Sequence, residues 1–249
     1  MPKVTVIMPA YNAEAYIGGA IRSVRAQGER DWELLVIDDG SGDGTWAAAV
    51  EAAGDDERIR LLKNPENMGA AATRNRGLDL AQGEYVAFLD CDDLWAPEKL
   101  ERQWALLDRT GGDLCYSGYR LVDETGAVRR NYPVPAQVSY EALLRENVIG
   151  CSTVVLRRSA LGDSRFDSAY FHEDYVLWLT LLSRGCRAVG CTEFLADWRY
   201  RPDSRSFSKG NAARQRWRIY RRYLKLPLWK SLWYFGGYAL AGLKKYGKT

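Results

Sequence analysis

The sequence predicts an α/β fold, with a mostly parallel mixed sheet flanked by helices, from three observations. Short apolar runs suited to buried strands alternate with segments of helical periodicity through the first half of the chain. The strand candidates are mainly apolar rather than alternating, which is typical of parallel strands that are covered on both faces. Acidic and other polar residues follow these strands directly, at the edge where open α/β sheets bind ligands.

Four buried strands are predicted in the first half, each followed by a helix. The strands are Val4–Met8, Glu33–Ile37, Ile59–Leu62 and Tyr85–Leu89. In the first helix Ile17, Ile21 and Val24 share one face, with Asn12 as the expected cap. Pro9 is expected to block further central pairing of the first strand. The other helices are marked by Trp46 to Ala53, the residues from Gly69 to about Ala81, and Leu100 to Leu107.

The second half is less regular, and we interpret it as the rest of one domain. Strands are predicted at Leu114–Tyr119 and Ser152–Leu156, with a proline- and arginine-containing segment between them that could act as a mobile lid. Phe171–Leu182 is a predicted helix with an acidic start, and Ala196–Ser206 is a predicted basic loop. We therefore expect a single catalytic-size domain, 1–210, and a helical tail, 211–249.

Composition narrows the class of protein. The chain has 249 residues, of which 47% are hydrophobic and 27% charged, as in soluble globular proteins. Its five cysteines form no CxxC pair and there is one histidine, His172, so a zinc site is not expected. The odd cysteine count and the lack of a signal peptide favour free thiols in a reducing cytoplasm.

Charge is divided unevenly along the chain. Residues 204–249 contain 12 Lys or Arg and no Asp or Glu, out of 35 basic and 32 acidic residues in total. Residues 1–203 therefore carry 23 basic and 32 acidic side chains, a net charge of −9 against +12 for the end of the chain. Such a basic segment can meet nucleic acid, anionic lipid or the acidic body itself.

The aromatic content of the tail favours lipid among these partners. Its apolar run, Leu228–Leu243, has 16 residues and contains Lys230, whereas a spanning helix needs about 20. Trp217, Trp229 and Trp233 interleaved with basic residues suit a membrane interface. The alternative is a helical pair that packs on the catalytic domain or on a second subunit, as in a homodimer. No nucleic-acid recognition motif is present, so we expect no nucleic-acid partner.

The acidic turn after the fourth strand is the strongest single feature. Asp90, Asp92 and Asp93 cannot be unpaired core residues, because burying such charge costs too much. They must be solvated, paired with basic groups, or holding a cation. An Asp-x-Asp at a strand end suggests a hard divalent ion shared with a phosphate-bearing substrate, although a solvated acidic turn has the same pattern. Pro9–Asn12 and Asp38–Asp39 should reach the same sheet edge.

An ordered set of motifs identifies a family resemblance. The motifs are Val6–Asn12, Val36–Thr45, Asn67–Asn75, Gly83–Asp93 and Glu173–Leu179. In order and spacing, over roughly residues 3–206, they resemble the family 2 glycosyltransferases of the GT-A (Rossmann-like) fold. The resemblance implies inverting transfer of a sugar from a nucleotide diphosphate donor, with UDP-sugars favoured, to a glycan or lipid-linked acceptor. It further implies Mn²⁺ or Mg²⁺ and surface polysaccharide synthesis. The free thiols and the basic aromatic tail add the expectation of a cytoplasmic enzyme that is peripheral on the inner face of the membrane.

The resemblance also assigns roles to individual residues. On the nucleoside side it implies contacts from Pro9, Ala10 and Tyr11, and recognition of the base by Asp38 and Asp39, with Arg74 steadying the base. In the acidic turn it implies ribose and metal contacts for Asp90 and Asp92, an auxiliary role for Asp93 and a pocket-lining backbone for Cys91. Asp174 is implied to be the catalytic base. A lid over the diphosphate is expected from Arg199, Arg201, Ser204 and Ser206. Arg199 aligns with a family arginine, whereas Arg201 stands where the family usually has histidine.

The chemistry agrees with these roles. A cation offsets the charge that develops on a diphosphate leaving group, and one carboxylate suffices to deprotonate the acceptor hydroxyl. Glu173 and Asp174 are adjacent on a helix and point in different directions, so one of them, Asp174, is expected to be the base. The alternative for both is a role as partners of the helix dipole.

Two other classes of protein remain as alternatives. A nucleotidyltransferase would normally carry a glycine-rich phosphate loop after the first strand, where this chain has Pro9–Glu14. A non-catalytic membrane-surface protein would not need both the Asp90–Asp92 pair and Asp174.

Overall fold

The fold is taken from a computed structural model, which describes residues 1–200 and 209–246. Within these residues one mixed sheet contains ten strands in the order β3-β2-β1-β4-β9-β6-β10-β5, with β7 on β6 and β8 on β10. The strands are β1 (Val4–Ala10), β2 (Trp32–Asp38), β3 (Ile59–Lys63), β4 (Tyr85–Phe88), β5 (Leu94–Trp95), β6 (Leu114–Val122), β7 (Val128–Tyr132), β8 (Gln137–Val138), β9 (Val155–Arg157) and β10 (Ala188–Arg199).

Helices cover both faces of this sheet. They are α1 (Ile17–Arg25), α2 (Thr45–Ala53), α3 (Ala70–Leu80), α4 (Lys99–Thr110), α5 (Tyr140–Arg145), α6 (Arg158–Leu161), α7 (Glu173–Ser183), α8 (Lys209–Arg218) and α9 (Leu228–Tyr246). A 3₁₀ turn spans Cys151–Thr153, and a π-helical turn, Ile219–Tyr223, follows α8. The predicted α/β class is confirmed.

The parallel half of the sheet is the part that the sequence predicts best. β1 lies between β2 and β4, both parallel to it, and β2 pairs in parallel with β3. Every residue of β1, β2 and β4 is buried, which explains why these strands are mainly apolar rather than alternating. The buried polar side chains Thr5 and Glu33 pair with each other at 2.6 Å. The expectation for Pro9 was wrong in part. β1 continues through Pro9 to Ala10, because beyond Ile7 it pairs only with β2.

The other half departs further from the predictions. β9 is antiparallel to both β4 and β6, which makes the sheet mixed. β10 runs parallel to β6 for most of its length, and its register shifts between Cys191 and Ala196. Residues 196–199, predicted as loop, are therefore the end of a strand. The segment predicted as a mobile lid contains β7, β8 and α5.

Asn12 does not cap the first helix as predicted. Its φ is +46°, and α1 begins five residues later at Ile17. The Asn12 side-chain oxygen accepts the Gly42 N–H at 2.9 Å, and its own N–H donates to Ser41 Oγ at 3.0 Å. Asn12 therefore ties the loop after β1 to the loop after β2.

The hydrophobic core has two parts, one on each face of the sheet. The face with Val4, Val6 and Met8 is covered by α1, α2 and α4. The opposite face is covered by α3, α5 and α7, and it also contains Ile219 and Tyr220 from the tail. The first part of the tail is thus continuous with the core.

Arg216 of α8 is the main polar contact of the tail with the body. It is buried, and its guanidinium lies 3.8 Å from the centre of the Tyr175 ring in α7 and 4.8 Å from that of Tyr238 in α9. The Tyr220 hydroxyl donates to the backbone oxygen of Leu144 in α5. These contacts hold α8 and α9 against α5 and α7.

The outer side of α9 remains exposed. Its large apolar side chains Leu228, Trp229, Leu232, Trp233 and Leu240 are each more than half exposed. Across residues 1–200 and 209–246, no helix combines the length and apolar character needed to cross a bilayer.

Candidate functional site

A cavity of about 740 Å³ opens at the carboxyl edge of the sheet. Its wall includes Asp90 and Asp92, which follow β4, and Asp174, in the first turn of α7. Asp174 lies more than eighty positions after Asp90 and Asp92 in the sequence. The structure therefore brings the acidic turn and the predicted base into one cavity.

The acidic turn is fastened from below by Ser152 in the 3₁₀ turn. The Ser152 hydroxyl donates to Asp93 Oδ2 at 2.6 Å and accepts the Asp90 N–H at 3.1 Å. Asp93 is buried, and this burial, together with the charges of Asp92 and Asp90, raises its pKa well above the ordinary value. Asp93 acts as an internal support of the turn.

Arg74 of α3 connects the acidic turn with the start of α7. Its Nη2 donates to Asp90 Oδ1 at 2.6 Å and its Nη1 to Glu173 Oε1 at 2.7 Å. The Arg74 side chain is only 7% exposed, so its guanidinium is buried, whereas the Asp90 side chain is 36% exposed. The structure places Arg74 against the acidic turn and α7.

Asp174 has the electrostatics of a base that works near neutral pH. Burial, and next the charge of Glu173, raise its pKa to about 7, although Arg74 acts in the opposite direction. Its Oδ1 accepts the N–H of Tyr175 at 2.7 Å. Because Glu173 is engaged by Arg74, Asp174 is the better placed of the two adjacent acids to take a proton.

The residues predicted to contact the nucleoside, Pro9 to Tyr11 with Asp38 and Asp39, are not among the described residues that line this cavity. Pro9 and Ala10 are buried at the end of β1, and Tyr11, which follows them, is 44% exposed. Asp38 Oδ1 accepts the N–H of Ser41 at 3.1 Å. The Asp39 N–H donates to the Ala10 carbonyl at 2.8 Å, which joins the two loops.

Asp39 organises the loop before α3. Its carboxylate accepts from Asn64 Nδ2 at 2.6 Å, the Met68 N–H at 2.9 Å and the Gly69 N–H at 2.8 Å. Gly69 has a φ of +85°, which a glycine adopts without strain, and it also lines the cavity. Three hydrogen bonds to the Asp39 carboxylate thus hold Asn64, Met68 and Gly69 around it.

Arg199, at the end of β10, contacts the acidic turn. Its Nε donates to the backbone oxygen of Asp92 at 3.1 Å and its N–H to Asp93 Oδ1 at 3.4 Å. Cys91 is half-buried, and burial followed by the charge of Asp92 raises its thiol pKa, so the thiol is no nucleophile. Arg201, Ser204 and Ser206 lie outside the described residues.

Three aromatic residues of the wall were missed by the sequence analysis. The Tyr119 ring stacks on Trp198 at 4.0 Å and on Tyr132 at 4.7 Å between ring centres, and all three line the cavity. They come from β6, β7 and β10, where aromatic residues usually indicate packing. No sequence pattern marks this aromatic stack.

His172, which was left without a role, also lines the cavity, just before α7. Burial, and next the charge of Arg216, lower its pKa to about 4. The His172 ring is therefore neutral at physiological pH.

The carboxylates present fit a divalent cation only in combination with a ligand. Among the residues that the structure describes, no group of three or more His, Cys, Asp or Glu side chains could hold a metal ion. Asp90 and Asp92 supply hard oxygen atoms, but Asp90 Oδ1 is also bound by Arg74. Mg²⁺ typically binds one or two carboxylates and completes its shell with phosphate oxygens, and this arrangement suits the site.

Comparison with known proteins gives the family. The model of Glycosyl transferase family 2 matches residues 5–162. TuaG of Bacillus subtilis, named for teichuronic acid biosynthesis, is 37% identical over 98% of this chain and 97% of its own length. The Escherichia coli UDP-Glc:α-D-GlcNAc-diphosphoundecaprenol β-1,3-glucosyltransferase WfgD is 36% identical over 98% of this chain and 94% of its own length.

A solved structure supports the fold. The mannosyltransferase PcManGT from Pyrobaculum calidifontis, in complex with GDP-Man and Mn²⁺, has a TM-score of 0.73 and 19% identity. The similarity covers 100% of this chain and 76% of that one, and at this level of identity it concerns the fold alone.

Proposed function

The chain belongs to glycosyl transferase family 2, and on that premise we propose that it transfers a sugar from a nucleotide diphosphate donor, with inversion, to a lipid-linked acceptor in surface polysaccharide synthesis. Membership of the family sets aside the nucleotidyltransferase and the non-catalytic binding protein. The names of TuaG and WfgD support the polysaccharide and lipid-linked assignments.

One observation carries the proposal. The cavity wall contains Asp90, Asp92 and Asp174, and Arg74 links the acidic turn to the start of α7 through Asp90 and Glu173. In a transfer reaction the donor diphosphate leaves from the anomeric carbon that the acceptor hydroxyl attacks. The groups that bind the diphosphate and the base that deprotonates the hydroxyl must therefore lie in one cavity. Holding both reactants in one geometry accounts for much of the rate enhancement in such reactions.

The donor side of the cavity is assigned to Asp90 and Asp92. Asp92, with Asp90, would hold Mn²⁺ or Mg²⁺ together with the phosphate oxygens, and a bound divalent ion offsets charge on the leaving diphosphate. Arg199, already against the Asp92 backbone, would contact the same phosphates. The loops of Tyr11, Asp38 and Asp39 would hold the nucleoside, and the name of WfgD supports a UDP-sugar as donor.

The acceptor side is assigned to Asp174. Its ionised carboxylate takes the proton of the acceptor hydroxyl while that oxygen bonds to the anomeric carbon. The bond between this carbon and the diphosphate oxygen breaks, and the nucleotide diphosphate leaves with the electron pair. A single displacement of this kind inverts the anomeric centre and needs no protein nucleophile.

We further propose that α9 contacts the inner face of the membrane. Trp229 and Trp233 are both 67% exposed and lie four residues apart, on one side of the helix. Apolar side chains beside basic ones suit the lipid interface, where each basic residue adds about 1 kcal/mol of attraction to anionic lipid.

A donor screen tests the proposed activity. Purified protein with Mn²⁺ or Mg²⁺ is incubated with UDP-, GDP- and dTDP-sugars, and both thermal shift and nucleotide release are measured. We expect one donor class to bind and be consumed, and Asp92→Ala to abolish its consumption. Asp55→Ala, which removes an exposed acid between α2 and β3 that does not line the cavity, is the control. If Asp92→Ala matches the wild type with every donor, the proposal is wrong.

Vesicle sedimentation tests the membrane contact. Trp229→Ser together with Trp233→Ser should reduce binding to vesicles that contain anionic lipid. An unchanged bound fraction would refute the role of α9, and a concentration-dependent dimer that these substitutions dissociate would assign the exposed side to a second subunit.

A further inference from the structure

A second hollow, which we call the acceptor groove, continues from the catalytic cavity towards the tail. Its volume is about 540 Å³, and it lies between β7, the end of α5 and α9. Tyr119, Tyr132, Asn147 and Val148 belong to the walls of both hollows. A ligand that reaches Asp174 can therefore extend into the groove without leaving the protein surface.

Two arginines from different elements converge on the groove. Arg130 comes from β7 and Arg145 from the last turn of α5, and both line it. Glu146 is the one acidic residue in the lining, within the described part of the chain, so the wall carries a net positive charge. No carboxylate among the described residues forms an ion pair with Arg145, which lies 5.7 Å from the Tyr234 ring centre.

The far wall of the groove is apolar and belongs to α9. Leu240 and Ala241 line it, and Leu240 is 62% exposed. Gly237 allows α9 to approach Arg145 closely, because a Cβ at this position would lie 3.0 Å from Arg145 Cγ. The groove thus passes from aromatic rings at the catalytic cavity, through two guanidinium groups, to the exposed side of α9.

We propose that the acceptor groove binds the diphosphate of a polyisoprenyl diphosphate-linked sugar. This inference rests on the proposed function and names the acceptor class of the same site. The acceptor sugar lies against the stack of Tyr119, Tyr132 and Trp198, its diphosphate is bound by Arg130 and Arg145, and its lipid leaves along α9.

The order of chemical groups supports this class of acceptor. A diphosphate offers several anionic oxygens to two guanidinium groups, and such charge-assisted bonds are the strong ones. A neutral glycan would not use the arginine pair, and a free sugar would not use the apolar wall.

Binding of farnesyl diphosphate to nucleotide-loaded protein tests the inference. Farnesyl diphosphate is titrated calorimetrically, as a monomer, into protein saturated with UDP and Mg²⁺, so that the donor site is occupied. We expect binding with UDP still bound, and a loss of affinity of about tenfold or more in both Arg130→Ala and Arg145→Ala. Farnesol, which lacks phosphates, should bind more weakly than farnesyl diphosphate.

Arg129→Ala is the matched control. Arg129 precedes Arg130 on β7, points to the opposite side of the strand and pairs with Asp123 at 3.3 Å. Its substitution should leave the affinity for farnesyl diphosphate unchanged.

Three results would overturn the inference. They are equal affinity in wild type and both groove variants, displacement of farnesyl diphosphate by UDP, and absence of binding. Failure of every nucleotide to bind would instead refute the proposed function, and farnesyl diphosphate titrated into nucleotide-free wild type and groove variants would still decide the groove.

Discussion

The Arg74 guanidinium donates to the Glu173 carboxylate at 2.7 Å, across 99 positions of sequence. This bond fixes the start of α7 to α3 and engages the acid that precedes Asp174. The second arm of Arg74 reaches Asp90, so a single buried cation sets the relative position of the proposed donor and acceptor groups.

Substitution of Arg74 should cost both stability and activity. In Arg74→Ala, the carboxylates of Asp90 and Glu173 lose their shared counter-charge, and we expect the free energy of unfolding to fall by about 3 kcal/mol. Urea denaturation measures this change. Arg165→Ala removes an exposed pair with Asp79 and should cost about 1 kcal/mol or less. Similar losses in both variants would contradict the role given to Arg74.

The rate of transfer should depend on pH through Asp174. Its pKa of about 7 means that the ionised base accumulates as the pH rises, so kcat/KM should increase up to about pH 7 and then level off. Glu173→Gln removes a neighbouring negative charge that raises this pKa, and should shift the rising part of the pH profile to lower pH. Glu57→Gln, an exposed substitution in the chain segment before β3, is the control. If Glu173→Gln leaves the pH profile unchanged, Asp174 is not the group that controls it.

Asp174→Asn should stabilise the protein at alkaline pH while transfer is lost. The folded-state pKa is raised from an ordinary value of 3.8 to about 7, so the folded protein binds the proton more tightly than the unfolded chain. Wild-type stability therefore falls as the pH rises between these values, and the penalty is complete above pH 7. Asparagine does not ionise, so the Asp174→Asn variant lacks this loss of stability.

Urea titrations at pH 5 and pH 8 measure this difference. The advantage of Asp174→Asn over the wild type should be larger at pH 8 than at pH 5, on the order of 2 kcal/mol. Asp55→Asn is exposed and should change stability equally at both pH values. If the difference in free energy of unfolding between Asp174→Asn and the wild type is the same at both pH values, the pKa of Asp174 is not raised in the folded protein.

A methyl group at Gly150 should disturb the aromatic stack. A Cβ there would lie 2.4 Å from Cζ2 of Trp198, so the indole must move away from Tyr119. We expect Gly150→Ala to lose about 1–3 kcal/mol of stability and to change the near-UV circular dichroism. Gly236→Ala, with no atom within 4 Å of the new Cβ, should do neither. An unperturbed spectrum of Gly150→Ala would mean that the wall is not packed as described.

The sequence predicts the parallel half of the fold because local signals agree there. Apolar strands, helical periodicity and turns follow one another at short range, and the carboxyl ends of parallel strands must share an edge. For this reason the residue pattern alone assigns the acidic turn and the loops of Tyr11 and Asp39 to one region of the molecule.

The rest of the site depends on contacts that no local pattern encodes. β9 inserts between β4 and β6, and with it Ser152 reaches the acidic turn from 59 positions away. Trp198 and Tyr119 stand on strands whose pairing brings them together, and their sequence context is that of ordinary packing residues. Arg130 and Arg145 line one groove only because β7, the end of α5 and α9 meet around it.

Arg216 changes how this enzyme can be dissected. It fills the space between Tyr175, the residue after Asp174, and Tyr238 of α9, and the Arg216 charge also lowers the pKa of His172. A protein cut after residue 210 would lose side chains that pack against α7, the helix that carries the proposed base. Tails exchanged between relatives should therefore impair turnover in solution, with no lipid present, unless the surfaces of α5 and α7 are exchanged with them.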